Sequence, residues 1–405
     1  MKLRFAIISF LLSLFCGDLY ADAIFAGNVT SVNSDSGLNA LRNPALMSKQ
    51  KDDSIGIFYM YSYLMHSDFD VNLSFSGLDA DTNATNHENY NGALILSDVF
   101  HSGKNAYGIG ITKTDDGQAV LSNSETDINL LSYNSNSTEK TRYFGSSVML
   151  SYSHEINNND SLGLQIETTA FNEYKKKNTV TSTPDNINFQ TETTRIKSSC
   201  SFGYHLIENS FEFGAILNTG SFGIENQKYE LTNTSGHNEH KISNYYIRKD
   251  GIGVLLGFAI KPATKWVFNF EAGSILPYSY KEKQWDETTL EESTNKINVI
   301  YTFLAKGGLN YKYNQYINFG FGGSYVSYKA NSTDTDGFEA DISKAVIYMA
   351  TAGIDIRPSK NFTLLLGLDY KLYVLDSGNL DPLNKFQIGF MKHYIEAIAG
   401  ISCKY

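Results

Sequence analysis

From Ser54 onward, apolar and polar residues alternate along the chain. Ile55, Ile57, Tyr59, Tyr61, Tyr63, Met65, Phe69, Val71, Leu73 and Phe75 hold odd positions, and Asp68, Asp70, Asn72 and Ser74 interleave in the second half. A period of two is the signature of a strand with one greasy and one polar face. Further on, Phe362, Leu364, Leu366, Leu368, Tyr370, Leu372 and Val374 alternate with Thr363, Leu365, Gly367, Asp369, Lys371 and Tyr373. Burying Asp369 and Lys371 in a dry core is expensive, whereas a wet barrel lumen accepts both.

Repeated along the chain, the same reading predicts strands at 54–75, 90–100, 105–114, 141–156, 161–175, 191–207 and 211–224. It continues with 244–260, 265–280, 295–312, 316–330, 343–357, 361–376 and 391–405. The count is fourteen, and single-chain bacterial outer-membrane barrels have an even number. Tight polar turns such as "HSGK" (101–104), "NNND" (157–160) and "NQ" (314–315) alternate with long polar segments such as 115–140 and 225–243, expected to be loops. Short turns at one end and long loops at the other are the barrel pattern, with both chain ends on the periplasmic side. A soluble β-sandwich also alternates, but its strands are typically about five or six residues. The fold expected is therefore all-β: a fourteen-stranded antiparallel transmembrane barrel over 54–405.

The N-terminus reads as an export signal. Lys2 and Arg4 precede small and apolar residues from Phe5 to Phe15, and Ala21-Asp22-Ala23 supplies a cleavage site after Ala23. Cys16 follows the bulky Phe15, which does not suit lipidation. Beyond Ala23, runs such as "GIGVLLGFAI" from Gly251 are about half the length a membrane helix needs. A chain with 27 Tyr, 25 Phe, 32 Gly and only 6 Pro leans to the barrel. The last strand, with Ile395, Ala397, Ala399, Ile401, Cys403 and Tyr405 on one face, ends on an aromatic, as barrel-assembly signals do. Trp266, Tyr311 and Tyr313 fit an interfacial girdle.

A net charge of −10 without a basic cluster argues against nucleic acid. Cys200 and Cys403 fall on predicted strands six and fourteen, which are not neighbours, so both are expected as free thiols. No Gly-x-Ser-x-Gly elbow occurs, "GHNEH" (236–240) reads as a loop, and "GIGVLLG" (251–257) continues the strand alternation. No enzyme activity, cofactor or metal is expected.

Residues 24–53, "IFAGNVTSVNSDSGLNALRNPALMSKQKDD", do not alternate. Ser34, Asp35 or Ser36 can cap a short helix with Leu38 and Leu41 on one face, and Pro44 pushes Asn43 to an extended conformation, where the helix should end. This segment with its "RNPALMS", followed by fourteen strands and by the texture of "DFDVNLSFSG" (68–77), "SDVFHSGKNAYGIGITKTDDG" (97–117) and "SSVMLSYSHEINNNDSLGLQIETTAF" (146–171), resembles the FadL-type outer-membrane transporters.

The resemblance implies that residues 24–53 form a hatch inside the barrel, with Arg42, Asn43, Pro44 and Ala45 at its motif. It implies passive uptake of hydrophobic compounds such as long-chain fatty acids, with lateral exit into outer-membrane lipid through a kink in the third strand. Gly108 and Gly110 are the candidates for that lateral gate. Lys306 and Lys371, inward by alternation, are candidate contacts for a carboxylate head, and Arg42 could join them. The protein would be a monomer, handed to the barrel-assembly machinery through its last strand. A structural or adhesive barrel working through its loops, or a general porin, are the alternative functions.

Overall fold

The computed structural model describes residues 39–50, 52–75, 78–89, 92–128, 133–181, 187–233, 238–247, 251–285, 292–333, 339–377 and 386–405. The export signal, Ser34, Asp35, Ser36 and Leu38 lie outside the described residues.

β1 (Ser54–Phe75) is followed by β2 (Leu78–Asn89), β3 (Ala93–Ser102), β4 (Asn105–Ile128), β5 (Tyr133–Glu155) and β6 (Asp160–Thr181). Next come β7 (Ile187–Glu208), β8 (Phe211–Asn233), β9 (Asn238–Ile247), β10 (Gly253–Ala263), β11 (Trp266–Ile275) and β12 (Tyr278–Trp285). β13 (Glu292–Lys312), β14 (Ile317–Thr333), β15 (Glu339–Ser359), β16 (Phe362–Ser377) and β17 (Phe386–Lys404) complete the sheet. Neighbours pair antiparallel, and β17 returns to β1 over Ser54↔Lys404 to Leu73↔Phe386, closing the barrel. β2 and β3 lie end to end between β1 and β4, β9 and β10 end to end along β8, and β11 and β12 end to end along β13. Each of these pairs makes up one stave, so the barrel has fourteen. Closure leaves no sheet edge at the seam between first and last strand, which a spanning sheet in lipid requires.

Alternation sorts the side chains. On β1, Ile55, Ile57, Tyr59 and Tyr61 are exposed on the outer surface, while Phe58 and Met60 are buried inside. On β16, Leu366, Leu368 and Tyr370 face out, and Leu365, Asp369 and Lys371 are buried. Outward aromatics gather near the short turns: Trp266 lies 4.3 Å from Tyr311 between ring centroids, and Phe100–Tyr107 and Phe258–Phe270 stack at 5.2 Å. At these turns Gly103 and Asn209 take left-handed backbone, φ 64° and 52°, which glycine and asparagine tolerate best.

The strands run further than the hydrophobic pattern indicates. The segment 115–140, expected to be a loop, continues β4 to Ile128 and resumes as β5 at Tyr133; likewise β8 runs to Asn233 and β9 starts at Asn238. β6, with 22 residues, is about twice the 9–11 residues a membrane strand needs. Above the apolar band both faces of the ladder are polar, as at the exposed Lys228–Glu192 pair and Tyr174–Gln190, so the backbone pairing persists where the alternation stops. Cys200 and Cys403 are free.

Candidate functional site

Residues 39–50 fold as two short 3-10 turns, Asn39–Leu41 and Pro44–Lys49. Asn43 is extended between them (φ −60°, ψ 111°), as a residue before proline should be, and its side-chain oxygen accepts from Ala45 N at 3.1 Å. Pro44 therefore opens the second turn rather than merely ending the first. The first helical position suits proline, because its missing N–H would lack a partner there anyway.

This segment lies against the inner faces of β3 to β7. Ala40, Ala45, Leu46 and Met47 are fully buried, and burying Leu46 and Met47 contributes about 1.5–3 kcal/mol each. Inward glycines make the room. A side chain at Gly108 would meet Met47 Sδ at 2.5 Å and Ala40 Cβ at 2.8 Å, and one at Gly110 would run into Leu41. Gly163 and Gly203 lie equally close to Pro44, Ala45 and Asn43. Inward polar side chains then satisfy the segment's backbone. Ser151 Oγ and Gln165 Nε2 donate to Ala40 O at 3.0 and 2.7 Å. Ser161 and Ser153 donate to Ala45 O at 2.8 and 3.3 Å, and Asn43 Nδ2 donates to Tyr204 O at 3.0 Å. Near the short turns, Lys49 Nζ reaches Glu155 Oε1 at 3.2 Å, and His101 contacts Met47 O (2.9 Å) with one ring nitrogen and Asp53 (2.7 Å) with the other. Arg42 N donates to Asn39 O at 3.3 Å, closing the first turn.

Beside the segment, Phe58 and Met60 of β1, Ala93 and Ile95 of β3, Leu365 of β16 and Ile398 of β17 form a buried apolar cluster, against which Leu41 packs. The wall pairing is irregular next to this cluster. Between Tyr63↔Asn89 and Asp70↔Asn83 the pairing of β1 with β2 lapses and its register shifts. Gly92 lies so close over Met60 O and the Tyr59 ring that any side chain there would collide. By contrast, β4 pairs without a break through Gly108 and Gly110 to both β3 and β5. Instead of bending their strand, these glycines seat the 39–50 segment, and the lapse lies one stave earlier.

On the other side of the lumen, Lys306 of β13 pairs with Glu271 of β11 at 3.3 Å, and Lys371 of β16 with Glu396 of β17 at 2.6 Å, all four side chains being buried. Asp369, also buried, faces Glu396 directly across the ladder. Among the described residues, no group of three His, Cys, Asp or Glu side chains is placed to hold a metal.

No family model and no curated protein sequence matches this chain. Solved structures do. The Pseudomonas putida toluene transporter TodX covers 94% of this chain and 96% of its own at TM-score 0.58 and 12% identity. The monoaromatic hydrocarbon channel CymD covers 95% and 98% at 0.60 and 11%. A Pseudomonas aeruginosa FadL homologue covers 94% and 96% at 0.59 and 12%. The chain has the FadL-type barrel fold.

Within this FadL-type barrel, Arg42, Asn43, Pro44, Ala45, Gly108 and Gly110 come together at the seat, while Lys306 and Lys371 lie on the wall of β11 and β13–β17. Sequence reasoning did not reach Ser151, Ser153, Ser161, Gln165 and Gly203, which complete the seat, or Glu271 and Glu396, which partner the lysines. Their signal was only a polar or glycine residue at an inward position, which every lumen strand carries, and it becomes specific only once the register shows what lies opposite.

Proposed function

We propose that the protein is an outer-membrane channel for passive uptake of hydrophobic compounds, with residues 24–53 as a hatch in the lumen. The observation that carries this reading is the seating of 39–50 beside an apolar cluster, at the place where the wall pairing is interrupted. A compound entering from the long-strand end meets the hatch, lodges against Phe58, Met60, Ile95, Leu365 and Ile398, and leaves sideways between β1 and the β2–β3 stave, beside Gly92. The names of TodX and CymD support a hydrophobic cargo. Residues 1–23 serve as the export signal, both chain ends face the periplasm, the monomer is the working unit, and β17 with its terminal Tyr405 addresses the assembly machinery.

Vesicles carrying the full chain should take up a labelled hydrocarbon or fatty acid faster than empty ones while staying tight to small sugars, and removing residues 24–50 should make them leak sugar. Uptake no faster than in empty vesicles would sink the channel. Sugar leakage unchanged by the deletion would sink the hatch.

A further inference from the structure

The lumen wall opposite the seat carries two adjacent rows of inward residues. One row holds Glu271, Lys306, Ser324 and Lys371, and the other holds Asn269, Asp369 and Glu396, each linked through directly paired positions. From Asn269 the second row passes through Gly308 and Gly322, which project no side chain into the lumen, and then through buried Thr351 to Asp369. Two adjacent inward glycines leave a recess in the side-chain layer between Asn269 and Thr351, and such positions are where a ligand can approach the backbone closely.

The groups beside this recess are unequal. Each lysine is already bound to a buried glutamate, and Asp369 adds a third buried carboxyl group directly across from Glu396. Asp369 is only 2% exposed, and its Oδ2 has no hydrogen-bond partner among the described residues; neither does Asn269 Oδ1 on the facing flank. Buried acceptors of this kind are costly until a donor reaches them. A carboxylate head would add a negative charge beside Glu271 and Glu396, next to lysines whose partners are in place. An ammonium head would carry a full charge out of water, which is far more costly than burying a hydroxyl. A hydroxyl brings the missing donor with no charge.

We infer that this recess selects hydrophobic ligands with an uncharged hydroxyl head, phenols or long alcohols, which donate to Asp369, over fatty acids. The inference rests on the channel reading above and names its cargo. Leu365, in the apolar cluster, lies four residues below Asp369 on the same face of β16 with Gly367 between them, so head and tail sites are about 13 Å apart at strand rise.

The test is calorimetric binding to the detergent-solubilised full-length protein of three probes of similar length: 4-heptylphenol, heptylbenzene and decanoate. The phenol should bind about tenfold tighter than either of the others, the worth of one hydrogen bond to a buried acceptor otherwise left without a donor. Asp369→Leu should bring the phenol down to the level of heptylbenzene and leave heptylbenzene unchanged, whereas Asp369→Asn, which keeps an acceptor oxygen, should retain most of the preference. Decanoate binding tighter than the phenol, or a phenol preference that survives Asp369→Leu, overturns the inference. Heptylbenzene bound without any phenol preference overturns it while leaving the channel reading standing. Failure of all three probes to bind overturns both.

Discussion

The two sides of the lumen solve the same packing problem differently. Along β4 to β7, inward glycines and short polar side chains receive the 39–50 segment, and Ala40 O and Ala45 O each accept two hydrogen bonds from the wall. Along β11 and β13 to β17, inward glycines again clear a space, but beside it lie two buried ion pairs and a third buried carboxyl group. One wall is complementary to a piece of its own chain and is held by neutral hydrogen bonds. The other is held by two buried lysines, each set against a buried glutamate. Removing a cation should therefore hurt the second wall more than removing one donor hurts the first.

Lys371→Met tests that most severely. It leaves Glu396 and Asp369 buried without a cation and should cost about 3–5 kcal/mol, read as a lower denaturant midpoint in detergent. On the seat side, Gly203→Leu drives a side chain into Asn43 and Pro44, and overpacking of about 1–3 kcal/mol should release the segment. Faster proteolysis within 39–50 and sugar leakage through reconstituted vesicles would report that release, with the barrel's own midpoint little changed. Asn43→Ala removes both the cap on Ala45 N and the bond to Tyr204 O, and should loosen the same segment by about 1–2 kcal/mol, seen as faster hydrogen exchange. Ser161→Ala should be mildest, about 0.5 kcal/mol, because Ser153 still donates to Ala45 O. If Ser161→Ala proved as damaging as Lys371→Met, the contrast between the walls would fail.

Most of the barrel was legible because lipid on one side and a lumen on the other impose a period of two, which the residues from Ile55 to Tyr61 and from Leu364 to Tyr370 follow. The lapse in pairing between β1 and β2 was not legible. A strand that shifts register against its neighbour keeps its composition, and Gly92 reads as one more loop glycine until Met60 is seen beneath it. At the seat, the Asn43-Pro44 pair announced a turn boundary, whereas Ser151 and Gln165 looked like any other inward polar residue. Lys306 and Lys371 could be placed inward from sequence, but their glutamate partners lie on other strands, Glu271 thirty-five residues away in the chain and Glu396 twenty-five. Only the register brings them together.

The polar ladders above the apolar band also constrain how this protein can change over generations. In β5 and β6 the pairing runs without a shift from Ser135↔Thr181 down to Glu155↔Ser161. A single residue inserted anywhere in that run would turn every side chain beyond it to the opposite face, or force a bulge. Homologues should therefore differ in length at 129–132 and 182–186, between the ladders, and diverge within the ladders by substitution alone. The upper wall, which reads like variable loop in the sequence, should behave under mutation like framework.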